Sequence, residues 1–158
     1  MPSARETRLV PYSPQQMFDL VGDIRRYPEF LPWCSALRVR SDDVTGEGVR
    51  ILISDMLVRY KGFEERFTSR AHLIAPEMCV RTEFVDGPFE HLENRWHFHA
   101  GEGGGTAVEF FIDFRFRSRI LQKLASSMFE KALMKLSDAF VQRAHALYGG
   151  VRSDAGSG

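Results

Sequence analysis

The stretch SRILQKLASSMFEKALMKLSDAFVQRAHALY, residues 118–148, decides how the rest of the chain is read. Leu121, Leu124, Ala125, Met128, Phe129, Ala132, Leu133, Leu136, Ala139, Phe140, Ala144 and Leu147 recur at three- and four-residue steps, the spacing of one broad helix face. At about 1.5 Å per residue the helix runs roughly 45 Å, enough to cross a small domain. A one-sided helix of that length needs an apolar surface to lie on, and the preceding residues have to supply it. Alanines at 125, 132, 139 and 144 alternate with Met128, Phe129, Leu136 and Phe140, so the face has hollows as well as ridges. Hollows over a concave sheet leave room for a guest; equally, they allow close helix packing.

Upstream, residues 5–10 read as a first strand that ends at Pro11. Ser13, Pro14 and Gln16 then give an N-cap, a proline at the first helical position and a capping box. Met17, Leu20, Val21 and Ile24 form the stripe of this helix, which is expected to run past Gly22 and stop at Tyr27-Pro28. Residues 27–33, with two prolines and three aromatics, predict one further helical turn. From Cys34 the period changes to two. Leu37 and Val39 oppose Arg38 and Arg40, and a turn follows over 42–48. In the next strand Val49, Ile51 and Ile53 occupy one parity and Met56, Val58 and Tyr60 the other, a phase slip that predicts a bulge near Ser54 and Asp55. After Lys61-Gly62, the residues Phe63, Glu65, Phe67, Ser69, Ala71 and Leu73 share a face. Met78, Val80, Thr82 and Phe84 follow, then Leu92, Trp96 and Phe98, then Val108, Phe110, Ile112, Phe114 and Phe116. Short turns between alternating strands mean an antiparallel meander. The expectation is therefore an α+β fold: a curved antiparallel sheet of about seven strands gripping the long C-terminal helix, with two short helices after the first strand.

A chain of 158 residues with 44% hydrophobic side chains makes one domain with a real core, assigned to residues 1–148, and the Gly/Ser-rich segment 149–158 reads as a disordered tail. Its 21 basic and 21 acidic residues cancel, so no global field points to DNA or to an anionic surface. Locally, Arg117, Arg119, Lys123, Lys131, Lys135 and Arg143 outnumber Glu130 and Asp138, which suits a solvated helix face or contact with lipid headgroups or RNA phosphates. Cys34 and Cys79 form no CxxC pair, which fits a reducing compartment. No signal peptide, transit peptide or 18-residue apolar run is legible, so the expected location is cytoplasmic, with peripheral contact to the inner membrane as an option.

Three runs, YSPQQMFDLVGDIRRYPEFLPWC (12–34), KGFEERFTSR (61–70) and VDGPFEHLENRW (85–96), with FRFRSRILQKLASSMFEKALMKLSDAFVQRA (114–144), resemble the coenzyme-Q-binding START-domain family of the helix-grip superfamily, which also holds polyketide cyclase-like proteins. The resemblance covers nearly all the chain up to Gly149. It implies a non-enzymatic carrier or chaperone that holds ubiquinone or another polyprenyl lipid in support of respiration, with that lipid as ligand and no required cofactor. The same family includes bacterial proteins described as a ribosome association toxin, so a ribosome partner is the alternative, and a cyclase or aromatase a third.

The candidate ligand-binding residues are Phe63, Glu65, Phe67, Phe84, Trp96, Phe110, Ile112, Phe114, Met128, Phe129, Ala132 and Leu136. Thirteen phenylalanines and six methionines suit an adaptable apolar interior, though the same residues also fill an ordinary core. Glu65, between two phenylalanines, is the candidate polar group; a structural ion pair accounts for it as well. Tyr27, Phe30, Leu31 and Trp33 are expected at a pocket mouth, or else in a buried junction. His91, Glu93, His97 and His99 share the solvent-side parity of one strand, and no metal is expected there. No catalytic residue is assigned: nucleophile elbow, HExxH and dinucleotide fingerprint are missing, and the inward parities read as nearly all hydrocarbon.

Overall fold

The computed structural model describes residues 3–60 and 62–149, apart from the side chains of Tyr60 and Phe63. The expected tail, from residue 150 onward, lies outside the described residues; Gly149 closes a last turn, His145–Gly149. Strand β1 is Ser3–Val10, followed by helix α1, Pro14–Gly22. The Ser13 hydroxyl accepts from the Gln16 N–H while the Gln16 side chain accepts from the Ser13 N–H, so the capping box is present. α1 ends at Gly22, earlier than the sequence suggests, and Ile24–Glu29 winds as a separate 3-10 turn. The break falls where α1 is pressed against the sheet: a Cβ on Gly22 would lie 2.8 Å from Cδ2 of Leu73.

Six strands follow: β2 (Cys34–Val44), β3 (Val49–Tyr60), β4 (Phe63–Ile74), β5 (Cys79–Asp86), β6 (Phe89–Ala100) and β7 (Thr106–Phe116). Helix α2, Arg119–Ala144, ends the fold, its first turn capped by the Ser118 hydroxyl. All pairings are antiparallel, in the order β1-β7-β6-β5-β4-β3-β2. Strand β1 therefore closes onto the last strand, and α1 carries the chain across to the opposite edge. The α+β helix-grip expectation agrees with this architecture.

The bulge lies beside Ser54, where the parity slip predicts it, but the extra residue belongs to the partner strand. β3 pairs with β4 without interruption from Val49 to Tyr60, and the extra residue, Arg40, sits on β2 between the pairs Val39–Ser54 and Ser41–Ile53. Leu52, Ser54, Met56 and Val58 all face inward, while Ile51 and Ile53 take the outer side. Further irregularities fall between Thr68 and Ser69 in the β4–β5 pairing and between Phe89 and His91 in β6–β7, and such bulges bend a sheet.

The core gathers at one end of the inward face. Met17, Phe18, Leu20 and Val21 of α1 meet Leu52, Ala71, Leu73, Val80, Trp96, Phe98, Val108 and Phe110 of the sheet, with Phe140 and Ala144 from the last turns of α2. The rest of α2 is less covered: Leu121, Leu124, Met128, Phe129, Ala132, Leu133 and Leu136 are half-buried, and Ile120 and Met134 are 76% and 63% exposed.

Candidate functional site

Directly opposed residues of an antiparallel pair share a face, so the register decides what points toward α2. Phe110 stands opposite Trp96 on one side and Glu6 on the other; Val108 stands opposite Phe98 and Arg8. The inward face at this end is thus aromatic in the middle and charged at its β1 edge. Trp96, Phe110 and Phe140 pack edge to face, at 4.6 Å between the rings of Trp96 and Phe110 and 4.7 Å between those of Trp96 and Phe140. Together with Glu6, Arg8 and Ser137 they line a cavity of about 10 Å³, room for one water-sized guest.

Arg8 spans from sheet to helix. Its Nη1 donates to Ser137 Oγ at 3.1 Å and to Asp138 Oδ1 at 2.7 Å. The Glu6 Oε2 oxygen is buried and has no hydrogen-bond partner among the described residues. Asn94, also inward, donates to the Phe111 carbonyl and accepts from the Trp96 indole. Ser54 and Ser69 are buried opposite one another on β3 and β4. The expectation of an almost wholly hydrocarbon inward face therefore needs correction. Alternation along 3–10 does not reveal it, because Leu9 points to solvent at 82% exposed and Glu6 and Arg8 take the inward side.

A second aromatic group lies toward the other end of α2. Phe89 is its centre, 5.5 Å from Phe67, 5.7 Å from Phe84, 6.4 Å from Phe114 and stacked on Phe116 at 4.5 Å. Phe114 meets Phe129 of α2 at 5.5 Å. Sequence reasoning missed Phe89 for a definite reason: simple parity groups it with His91 and Glu93, but the bulge at Glu90 turns it inward opposite Phe116.

Of the residues expected to bind a ligand, Trp96 and Phe110 line the cavity, and Ile112 and Leu136 pack half-buried beside the core. Phe67, Phe84 and Phe114 gather around Phe89, and Phe129 reaches that group through Phe114. Met128 and Ala132 are half-buried on α2. Glu65 stands on the inward face opposite Val58, remote from the cavity, and the Phe63 side chain lies outside the described residues.

The segment expected at a mouth clasps the end of α2. Tyr27 and Phe30 meet Phe140 at 5.5 and 5.4 Å, Leu31 packs against the core, and Arg143 lies over the Phe30 ring while pairing with Glu29 at 2.9 Å. Trp33, half-buried, holds a φ of 70°, a rare conformation for a bulky residue, as the chain turns into β2. Burial raises the Tyr27 phenol far above its ordinary value, with Cys34 and Asp23 adding to the shift, and its hydroxyl donates to the Val21 carbonyl. Burial likewise pushes the Cys34 thiol up to about 11. Both groups stay neutral at pH 7, which suits structural rather than nucleophilic roles.

On the outer face, the register sets Glu109 of β7 opposite His97, and donor atoms of His97, His99 and Glu109 lie within 4.8 Å of one another. His91 pairs instead with Asp113 at 3.2 Å, and Glu93 with Arg95 at 3.0 Å. The face is solvent-side, as its parity predicts.

The site is thus a stretch of half-buried apolar residues between one long helix and the inward face of the sheet, with polar groups at one end. Residues 10–141 match the family described as polyketide cyclase/dehydrase and lipid transport, and the chain belongs to that family. It is 39% identical over 147 residues to the ribosome association toxin RatA of Rickettsia prowazekii, covering 91% of this chain and 97% of that protein. It is 32% identical to the coenzyme Q-binding protein COQ10 homolog B, mitochondrial, of Xenopus laevis, over 91% of this chain and 58% of the relative. A START superfamily protein from Mycobacterium smegmatis has the same fold, with a TM-score of 0.77 over 92% of this chain and 98% of that one at 17% identity. No helix among the described residues is long and apolar enough to cross a membrane.

Proposed function

We propose that this protein binds a polyprenyl lipid of the quinone type between α2 and the inward face of the sheet, and shields or delivers it without transforming it. The observation that carries the reading is the uneven burial of α2. Phe140 and Ala144 are sealed into the core, whereas Leu121 to Leu136 leave an apolar lane half open from the Phe89 group to the Trp96 cavity. Half-covered hydrocarbon of that extent gains by leaving water, at about 25 cal/mol per Å². A prenyl chain is a fitting occupant. The ring would reach the polar end, and the name of the coenzyme Q-binding relative supports that choice. The ligand is loaded by movement of α2, since the cavity as it stands takes only a water-sized guest.

Mass spectrometry of organic extracts from gently purified protein tests this against a mock purification. Stoichiometric polyprenyl quinone is expected in the wild type and is lost in folded Phe114→Asp and Ala132→Trp. Full retention in both variants would count against the lane.

Ribosome association is the second reading, favoured by the names of the toxin relatives and by Arg119, Lys123, Lys131 and Lys135 standing exposed on α2. Phosphate contacts make such binding salt-dependent. Charge reversal at Lys123, Lys131 and Lys135 separates the readings: it abolishes salt-sensitive ribosome pelleting if the second holds, and leaves lipid retention in detergent intact if the first does.

A further inference from the structure

Glu6 and Arg8 lie two residues apart on β1, on the side that faces α2, and both line the cavity closed by Trp96, Phe110 and Phe140. They differ in what they already hold. Arg8 donates to Ser137 and Asp138, so its charge is answered. The Glu6 Oε2 oxygen is buried, and no hydrogen-bond donor among the described residues reaches it. A carboxylate oxygen only accepts, and leaving a buried acceptor without a donor is costly. An O–H brought to this oxygen, by a water in the cavity or by the hydroxyl of a larger guest that displaces it, removes that cost.

We propose that Glu6 is the headgroup acceptor of this site and makes it bind the reduced, hydroxyl-bearing quinol in preference to the oxidised quinone. The inference rests on the lipid-binding reading and adds the redox form of the ligand. A quinol ring presents two O–H donors, one of which Glu6 Oε2 accepts. The quinone presents two carbonyl oxygens, acceptors that face the carboxylate lone pair to lone pair. The two forms differ by two electrons and two protons, so any preference appears as a shift in potential. Quinol bound tenfold tighter raises the potential of the bound couple by about 30 mV. Arg8 keeps β1 tied to the Ser137–Asp138 turn beside this oxygen, so the ring approaches Glu6 from the half-buried stretch of α2, Leu121 to Leu136, with the anchored end in place.

The test titrates the full chain by equilibrium dialysis, in detergent, with a decyl-chain benzoquinone, the same compound kept reduced, and a decyl chain without a ring. Wild-type protein is expected to bind the reduced form about tenfold tighter than the oxidised form, the scale of one charge-assisted hydrogen bond. Glu6→Gln, whose amide also donates to a carbonyl, brings that ratio close to one or inverts it and leaves binding of the ring-less chain unchanged. If the variant does not fold, the wild-type ratio and the potential of the bound couple still decide. Equal affinity for both redox forms, with the chain bound, overturns the role of Glu6 and leaves the lipid reading standing. Failure to bind any of the three compounds overturns both.

Discussion

Gly22 shows how much one side chain can decide. It ends α1 where the helix touches β4, and an added Cβ would sit 2.8 Å from Cδ2 and 3.3 Å from Cγ of Leu73. Leu73 is buried and has little freedom to retreat. Gly22→Ala is expected to lower stability by about 1–3 kcal/mol, read as a reduced urea midpoint at unchanged slope. The same substitution at Gly46, which has nothing within 4 Å, should be close to neutral. Legibility at this scale depends on what a residue's neighbours turn out to be. Phe114 and Trp96 are legible because unbroken alternation points them inward. Phe89 is not, because the bulge at Glu90 reverses its side, and Glu6 is not, because a carboxylate on the inward face contradicts the rule by which faces are read.

The elements were legible almost throughout. Capping residues, prolines and the change of period from 3.6 to two locate both helices and all seven strands, since each rests on local chemistry. The strand that carries the bulge was not, because β3 shows the apolar slip at Ser54 while its partner β2 holds the extra residue, and only pairing assigns it. The depth of α2 was not legible either, since twelve apolar positions on one face do not say which are sealed. That gradient is testable. Phe140→Ala should cost about 3–5 kcal/mol, whereas Leu124→Ala, half-buried, should cost roughly 1 kcal/mol. Native-state hydrogen exchange should show amides of 120–132 opening well before those of 138–144. Uniform protection along α2 would contradict a helix anchored at one end.

For the whole molecule, ionisation brackets the stability. Hydrogen bonds from Arg50, then from Arg25, hold the Asp42 carboxyl down at about 2 against an ordinary 3.8. Because the folded state favours the carboxylate, that contribution is present above pH 3.8 and disappears as pH falls toward 2. Cys34 has the opposite sign: burial lifts it from 9.0 to about 11, so its contribution is complete below pH 9 and is lost as pH rises through 11. Thermal midpoints should stay level between those limits and fall on both sides. Asp42→Asn should remove on the order of 1 kcal/mol at pH 7 and flatten the acid limb, and Cys34→Ala should flatten the alkaline one.

The central claim, that a lipid lies between α2 and the sheet, is tested most directly by where a bound lipid touches the chain. A polyprenyl quinone carrying a photoactivatable group in its tail would be irradiated in complex with the protein and the adducts mapped by peptide mass spectrometry. Adducts at Met128, Phe129, Ala132 or Leu136 and at Phe67 or Phe114, competed away by unlabelled quinone, are predicted. Labelling confined to Ile120, Met134 or the outer face of the sheet would contradict the account.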